Sequence, residues 1–193
     1  MQQGLVYALL GCVLLAAAVW DWRTHRVPNW LTYGAIAAGV ALSVALGPWD
    51  AGYTALPHDR LGCAGLSLMS MGLGLLPMWA IFYFGGLGGG DVKLMGAVGA
   101  ILARPEGVLY AFVYSFLAAI VLAVVIMLHR RIVGQTLRRI LAATLGFVAG
   151  THPTLPADSP RVPFAVAILI GGLLSGWESV LHRALPWSVP HGF

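Results

Sequence analysis

Residues 107–128 read GVLYAFVYSFLAAIVLAVVIML, an apolar run that contains no charged side chain. At 1.5 Å of rise per residue, a helix over this stretch is about 33 Å long. That length crosses the roughly 30 Å hydrocarbon core of a bilayer. Working outward, further apolar runs lie near residues 4–20, 30–47, 61–84 and 162–181, and a shorter one lies near 92–104. The 193-residue chain is 59% hydrophobic and 9% charged, with a mean hydropathy of +0.85. A soluble domain carries about a quarter charged residues, so this chain cannot cover its own surface with polar groups. The expected fold is all-α: a polytopic membrane helix bundle of about six transmembrane helices, in one membrane-embedded domain over residues 1–193.

The punctuation between the runs is informative. No Lys or Arg precedes the first run, whereas Arg23 and Arg26 follow it. A cleaved signal peptide has the opposite arrangement, so the run reads as a retained anchor with its N-terminus outside. Pro28-Asn29 then restarts a helix after a short turn, because Asn favours the N-cap and Pro tolerates a helix start. A polar stretch covers Pro48 to Arg60. The run Gly85-Gly86-Leu87-Gly88-Gly89-Gly90 is expected to break the helix that precedes it, and Arg104-Pro105-Glu106 ends the short span. The longest loop, His129 to Arg161, contains Ile140 to Ala149, which is apolar but too short to cross. Gly172 and Gly176 form a GxxxG whose expected meaning is close helix packing.

Charge tests this topology. With the N-terminus outside, the cytoplasmic segments hold Arg23, Arg26, Lys93, Arg130, Arg131, Arg138, Arg139 and Arg161, while the outer segments hold Arg60, Arg104 and Arg183. Eight against three agrees with the positive-inside rule. That rule also accounts for the pI near 9.4 without nucleic acid, since no basic patch is interleaved with aromatics on a polar segment. Cys12 and Cys63 both fall in apolar runs, form no CxxC pair, and read as small buried residues. The six histidines show no metal-ligand spacing. The glycine run lacks the GK[ST] ending of a phosphate loop. No metal or cofactor is expected.

Of the seven acidic residues, Asp50, Asp59, Glu106, Asp158 and Glu178 fall in loops or near span ends. Asp21 and Asp91 each close or open a span beside a motif-like sequence, and the topology puts both on one membrane face. Ionisable groups near bilayer depth are costly and usually functional. The structural alternatives are plain: Asp21 could end the first helix beside Trp20 and Trp22, and Asp91 could cap the short helix. Together they fit a carboxylate pair, in which one member stays protonated while the other activates water. Glycines before Asp91 would let a substrate backbone approach and permit unusual φ/ψ.

The stretch Asp21-Trp22-Arg23-Thr24-His25-Arg26-Val27-Pro28-Asn29-Trp30-Leu31-Thr32 resembles the first motif of type IV prepilin peptidases, an Asp followed by Pro-Asn and then Leu-Thr. Gly88-Gly89-Gly90-Asp91-Val92-Lys93-Leu94 resembles their second motif, Gly-x-Gly-Asp-x-Lys. Arg161-Val162-Pro163-Phe164-Ala165 is similar, less specifically, to the lead-in of the family's last helix. The resemblance implies an intramembrane aspartic endopeptidase with Asp21 and Asp91 as its catalytic pair. Gly88, Gly90, Lys93, Pro28 and Asn29 are implied to support the motifs or bind substrate, Lys93 through its charge or as an interfacial lysine. The substrates implied are prepilin, pseudopilin or flagellin-like precursors, cut at the cytoplasmic face of the cytoplasmic membrane. Larger members carry an N-terminal domain with two CxxC pairs that is associated with methylation. This chain starts at its first span without them, and so resembles the short form found among Flp/Tad and archaeal preflagellin peptidases.

Two rivals predict something different. A small transporter or channel subunit would show inverted symmetry between its halves, and none is evident. An inactive assembly partner would be favoured by loss of either Asp, and both are present. The topology itself is open to measurement. In a chain whose two native cysteines have been replaced, a cysteine at Gln135 should be shielded from impermeant thiol reagents in intact cells and react once the membrane is opened. Labelling of that cysteine from outside would overturn the orientation.

Overall fold

A computed structural model of the chain describes residues 2–24, 26–47, 60–83, 87–131, 134, 138 and 164–181. These fold into six helices: α1 (Gln2–Thr24), α2 (Asn29–Leu46), α3 (Arg60–Tyr83), α4 (Gly89–Leu102), α5 (Pro105–His129) and α6 (Phe164–Leu181). No strand occurs among the described residues, and the all-α expectation stands. The expected segments Pro48–Asp59, Ile140–Ala149 and Arg161-Val162-Pro163 lie outside the described residues, as does His25. The chain divides into two compact units, residues 1–118 with 163–193, and residues 119–162. In the second unit the described part is the end of α5, the turn at Arg130 and Arg131, and residues 134 and 138. Everything below concerns the first.

Helices α1, α2, α3 and α5 are long and apolar enough to cross a membrane. They carry large apolar side chains on their outer faces, among them Leu5, Leu15, Val19, Leu68, Met69, Leu76, Leu109, Val113 and Leu117. In water such a surface would drive association; in lipid it is solvated. The chain is a multi-pass membrane protein.

The short helix α4 differs. Its 14 residues make it about 21 Å long, less than a bilayer core. Every residue from Leu94 to Leu102 is buried, as is Val92. A helix that is apolar all round belongs inside a bundle, and α4 packs mainly against α3 and α2, with lesser contacts to α1 and α6. The expected fourth span is enclosed by the other helices, chiefly α3 and α2.

Lipid supplies little hydrophobic force between helices, so close approach and hydrogen bonds decide the packing. A Cβ on Gly99 would collide with the Ser70 carbonyl, one on Gly74 would lie 2.7 Å from the Met95 carbonyl oxygen, and one on Gly39 would lie 2.7 Å from the Ile101 nitrogen. At these points α3 and α2 touch α4 backbone to backbone. Buried hydroxyls fasten the bundle further: Ser67 of α3 donates to the Ala100 carbonyl of α4 at 2.7 Å, and Ser43 of α2 to the Cys63 carbonyl of α3 at 2.9 Å. Gly172 and Gly176 do serve packing. Added Cβ atoms there would meet Leu14 at 2.6 Å and Tyr7 at 2.7 Å, which lays α6 along α1.

Several boundaries differ from the expected ones. α1 continues through Asp21 to Thr24. Gly89 and Gly90 form the first turn of α4, so this part of the glycine run starts a helix. α5 begins at Pro105, since proline suits the first helical position, where its missing N–H is no loss. Cys63 is buried as expected, but Cys12 is exposed. The inward stripe of α1 runs Val6, Leu10, Leu14, Ala17, and Cys12 falls off it.

These contacts predict which glycines matter for stability. Gly99→Leu must push α3 from α4 and should destabilise the bundle by about 1–3 kcal/mol or more. Gly65→Leu meets open space and should be neutral. Thermal unfolding in detergent measures both, and equal midpoints would contradict this packing.

Candidate active site

The inward stripe of α1 repeats at helical spacing, Leu10, Leu14, Ala17, and its next member is Asp21. The residue that continues an apolar stripe is thus a carboxylate, and it is 8% exposed. One turn later α1 ends. Thr24 Oγ1 lies 2.9 Å from the Trp20 carbonyl and 3.0 Å from the Arg26 carbonyl, drawing the chain around the turn. Pro28, with φ −69° and ψ 139°, is the N-cap of α2. Its carbonyl accepts from the amides of Leu31 at 3.2 Å and Thr32 at 3.4 Å.

Asn29 was expected to favour the cap position, but it is the first helical residue. The α2 N-terminus has no side-chain cap. The Asn29 side chain instead accepts a hydrogen bond from Lys93 Nζ through Oδ1, at 2.9 Å. The Lys93 ammonium also lies 5.1 Å from the centre of the Tyr33 ring, within cation–π range.

Helix α4 presents the second carboxylate. Gly88 is its N-cap, which makes Asp91 the third residue of the first turn and not the cap. The Asp91 carboxylate accepts from the Gly88 N–H, and the Asp91 amide donates to the Gly88 carbonyl at 3.1 Å. This is the reach-back half of a capping box. Gly88 adopts an ordinary extended conformation, φ −82° and ψ 144°, and Gly90 is helical. Unusual backbone angles are therefore not what these two glycines provide. They provide room: a Cβ on Gly88 would lie 3.2 Å from Asp91 Oδ2, and one on Gly90 would lie 3.2 Å from the Val27 Cβ.

Asp21 and Asp91, which are 70 positions apart in the sequence, line one cavity of about 420 Å³ with Arg26, Val27, Pro28, Asn29 and Gly88, Gly89 and Gly90. Asp21 acts electrostatically on Asp91. Of the residues singled out in the sequence, only Lys93 is absent from the cavity wall; it braces Asn29 from behind. Two lining residues were not singled out as site residues. Arg26 read only as a topological charge, and Val27 as a spacer in the first motif. Nothing in their identity announces a wall position, which follows from the turn geometry. Among the described residues no three of His, Cys, Asp and Glu gather as a metal-binding set.

Aromatic residues surround this end of the bundle. Trp20, Trp22, Trp30, Tyr33, Trp79, Phe82 and Tyr83 are all exposed, and Trp20 meets Trp30 edge-on with ring centroids 5.8 Å apart. Tryptophan and tyrosine in such a girdle favour the headgroup level of a membrane.

The model of the Type IV leader peptidase family matches residues 8–128, a stretch that contains every residue of the cavity. Searches among curated proteins and among solved structures returned no match.

The Gly90–Val27 contact is testable. Gly90→Val should force the α1–α2 turn away from α4 and slow turnover of a leader-bearing substrate about tenfold or more, since small displacements of reacting groups are costly. Gly107→Ala meets only ordinary contacts at 3.7 Å and should turn over normally. Equal rates for the two variants, at equal membrane levels, would contradict the fit.

Proposed function

The chain belongs to the Type IV leader peptidase family, and from that membership we propose that it is an intramembrane aspartic endopeptidase acting on type IV prepilin-like precursors. The observation that carries the aspartic assignment is the shared cavity: α1 and α4 each deliver one carboxylate to it. Two carboxyl groups held together cannot both ionise cheaply, so the pair holds one proton between them at working pH. The ionised member takes a proton from a water as that water's oxygen attacks the scissile carbonyl carbon. The protonated member gives its proton to the carbonyl oxygen, forming a tetrahedral diol. Collapse of the diol breaks the C–N bond: the leaving amine takes a proton from the protonated member, and a diol hydroxyl returns its proton to the ionised one. The products are the leader's carboxyl terminus and the mature protein's amino terminus, and the pair returns to its starting state.

The site we propose comprises Asp21 and Asp91 as the acid–base pair. Gly88 and Gly90 give the space in which the motifs close, and Pro28, Asn29 and Lys93 support the turn. Its proposed depth is the membrane–water boundary, which the aromatic girdle supports and where water and a leader segment can both reach the cavity. The proposed face is cytoplasmic, with both termini outside, on the strength of the eight-to-three distribution of basic residues. The precursor is proposed to be a prepilin, pseudopilin or flagellin-like protein whose apolar helix stays in the bilayer while its leader enters the cavity.

Asp21→Asn and Asp91→Asn should each reduce cleavage of a co-expressed precursor by about 10²–10⁴-fold, the usual worth of general acid–base catalysis. The double variant should be no worse than either single one, because the two groups act as a unit. Asp158→Asn, outside both motifs, should cut normally. A gel mobility shift of the precursor reads the result, with membrane levels of each variant measured alongside. Normal cleavage by either single motif variant would overturn the aspartyl pair.

A further inference from the structure

We propose that Lys93 is a positioning residue, the pin of a latch through Asn29 and Tyr33 that holds the α1–α2 turn against the start of α4 and so sets the separation of the two carboxylates. The proposal rests on the peptidase reading for its catalytic consequence, but the latch is a feature of the fold in its own right.

Its geometry is direct. Lys93 Nζ donates to Asn29 Oδ1 at 2.9 Å and sits 5.1 Å from the centre of the Tyr33 ring. Asn29 lines the cavity, whereas Lys93 does not. Asp91 and Lys93 are two positions apart on one helix, about 200° around its axis. When Asp91 faces the cavity, Lys93 is therefore turned away from it, and the chain has used that direction to reach α2.

Two costs in the structure point to a purpose. A cation beside helix N-termini works against the helix dipole, and Lys93 lies near the start of α4 while bonding to the first residue of α2. The α2 N-terminus also lacks a side-chain cap, although Asn29 is of the residue type that caps best. A side chain that could complete a helix start is committed to a tertiary contact.

The need for a latch follows from the glycines. The segment Gly88-Gly89-Gly90 has no side chains with which to hold the start of α4. Val92 is buried, but continuous burial of the helix begins only at Leu94, and the glycines themselves meet only Phe82 beside Gly89 and Val27 beside Gly90 among the neighbouring helices and turn. Asp91 thus sits in the least anchored turn of the central helix. A charge-assisted hydrogen bond two residues further on ties this turn directly to the start of α2.

The test separates position from charge. Lys93→Met keeps the stem and removes the donor; it should lower kcat about tenfold or more, with KM little changed and the pH–rate profile unshifted. Asn29→Ala should reproduce it, and the double variant should be no worse than either single one. Lys93→Arg, which keeps a cation able to reach Asn29 and stack on Tyr33, should retain most of the rate. A shifted pH profile for Lys93→Met would show a direct charge effect on the carboxylates and overturn the latch. Additive losses, or a wild-type rate for Lys93→Met, would also overturn it.

A second measurement does not depend on activity. Spin labels at Trp30→Cys and Leu87→Cys, in a background free of native cysteines, report the separation of the α2 and α4 starts. Lys93→Met should broaden that distance distribution, and an unchanged distribution would overturn the latch. If the unmodified protein cut no precursor at all, the peptidase reading would fail, and this distance measurement would still decide the latch.

Discussion

The structure depends on the enclosure of α4. A helix shorter than the bilayer core is thick, and apolar on every side, is held at membrane depth by the longer helices that surround it. Glycine makes that possible here. At Gly39, Gly74 and Gly99 the backbones of α2, α3 and α4 come too close for any side chain, and serine hydroxyls donate to carbonyls between α3 and α4 and between α2 and α3. These are the interactions that hold helices together where lipid provides no hydrophobic contrast. Shortness has a functional corollary: a buried helix that starts at the rim of the bundle can present its first turn to water while its body stays in the core.

The two carboxylates reach their shared cavity by different local rules. Asp21 inherits its direction from α1, as the next member of a stripe that otherwise buries Leu10, Leu14 and Ala17. Asp91 takes its direction from the start of α4, where its side chain turns back to the Gly88 amide. The proposed pair is thus assembled by tertiary packing from two positions that are each unremarkable in isolation, the last turn of one helix and the first turn of another. The start of α4 is a natural place for such chemistry, because its free amides favour negative charge, as the Gly88 amide does for Asp91.

Much of this was legible in the sequence, and the limits have physical causes. Segmentation by apolar runs located all six helices, because burial in lipid or in a bundle leaves a long uniform signature on a chain. The same signal did not reveal that 92–104 is enclosed by its neighbours, since a helix surrounded by protein and one surrounded by lipid are both apolar all round. Asp21, Asp91 and the surrounding motifs were visible because acids are rare in this chain. Arg26 and Val27 were not recognised as cavity wall, because wall positions depend on how the turn between Thr24 and Pro28 folds. Asn29 shows the limit of propensity: Pro28 takes the cap, and Asn29, at the first helical position, bonds to Lys93. Cys12 shows that membership in an apolar run says nothing about which face a residue occupies.

The central claim is that α1 and α4 bring Asp21 and Asp91 together in the membrane-embedded protein. It is tested most directly by replacing both with cysteine, in a chain without native cysteines and with a protease site inserted between residues 48 and 59. Native membranes are treated with a short bifunctional thiol reagent, the protease is added, and the chain is run on a gel. The account predicts a single cross-linked species that separates into two fragments when the linker is reduced. Pairing Asp91→Cys with Gly4→Cys, at the opposite end of α1, should give no such species. Two fragments without reduction in the Asp21→Cys and Asp91→Cys chain, under conditions where both cysteines react with monofunctional reagents, would contradict the shared site.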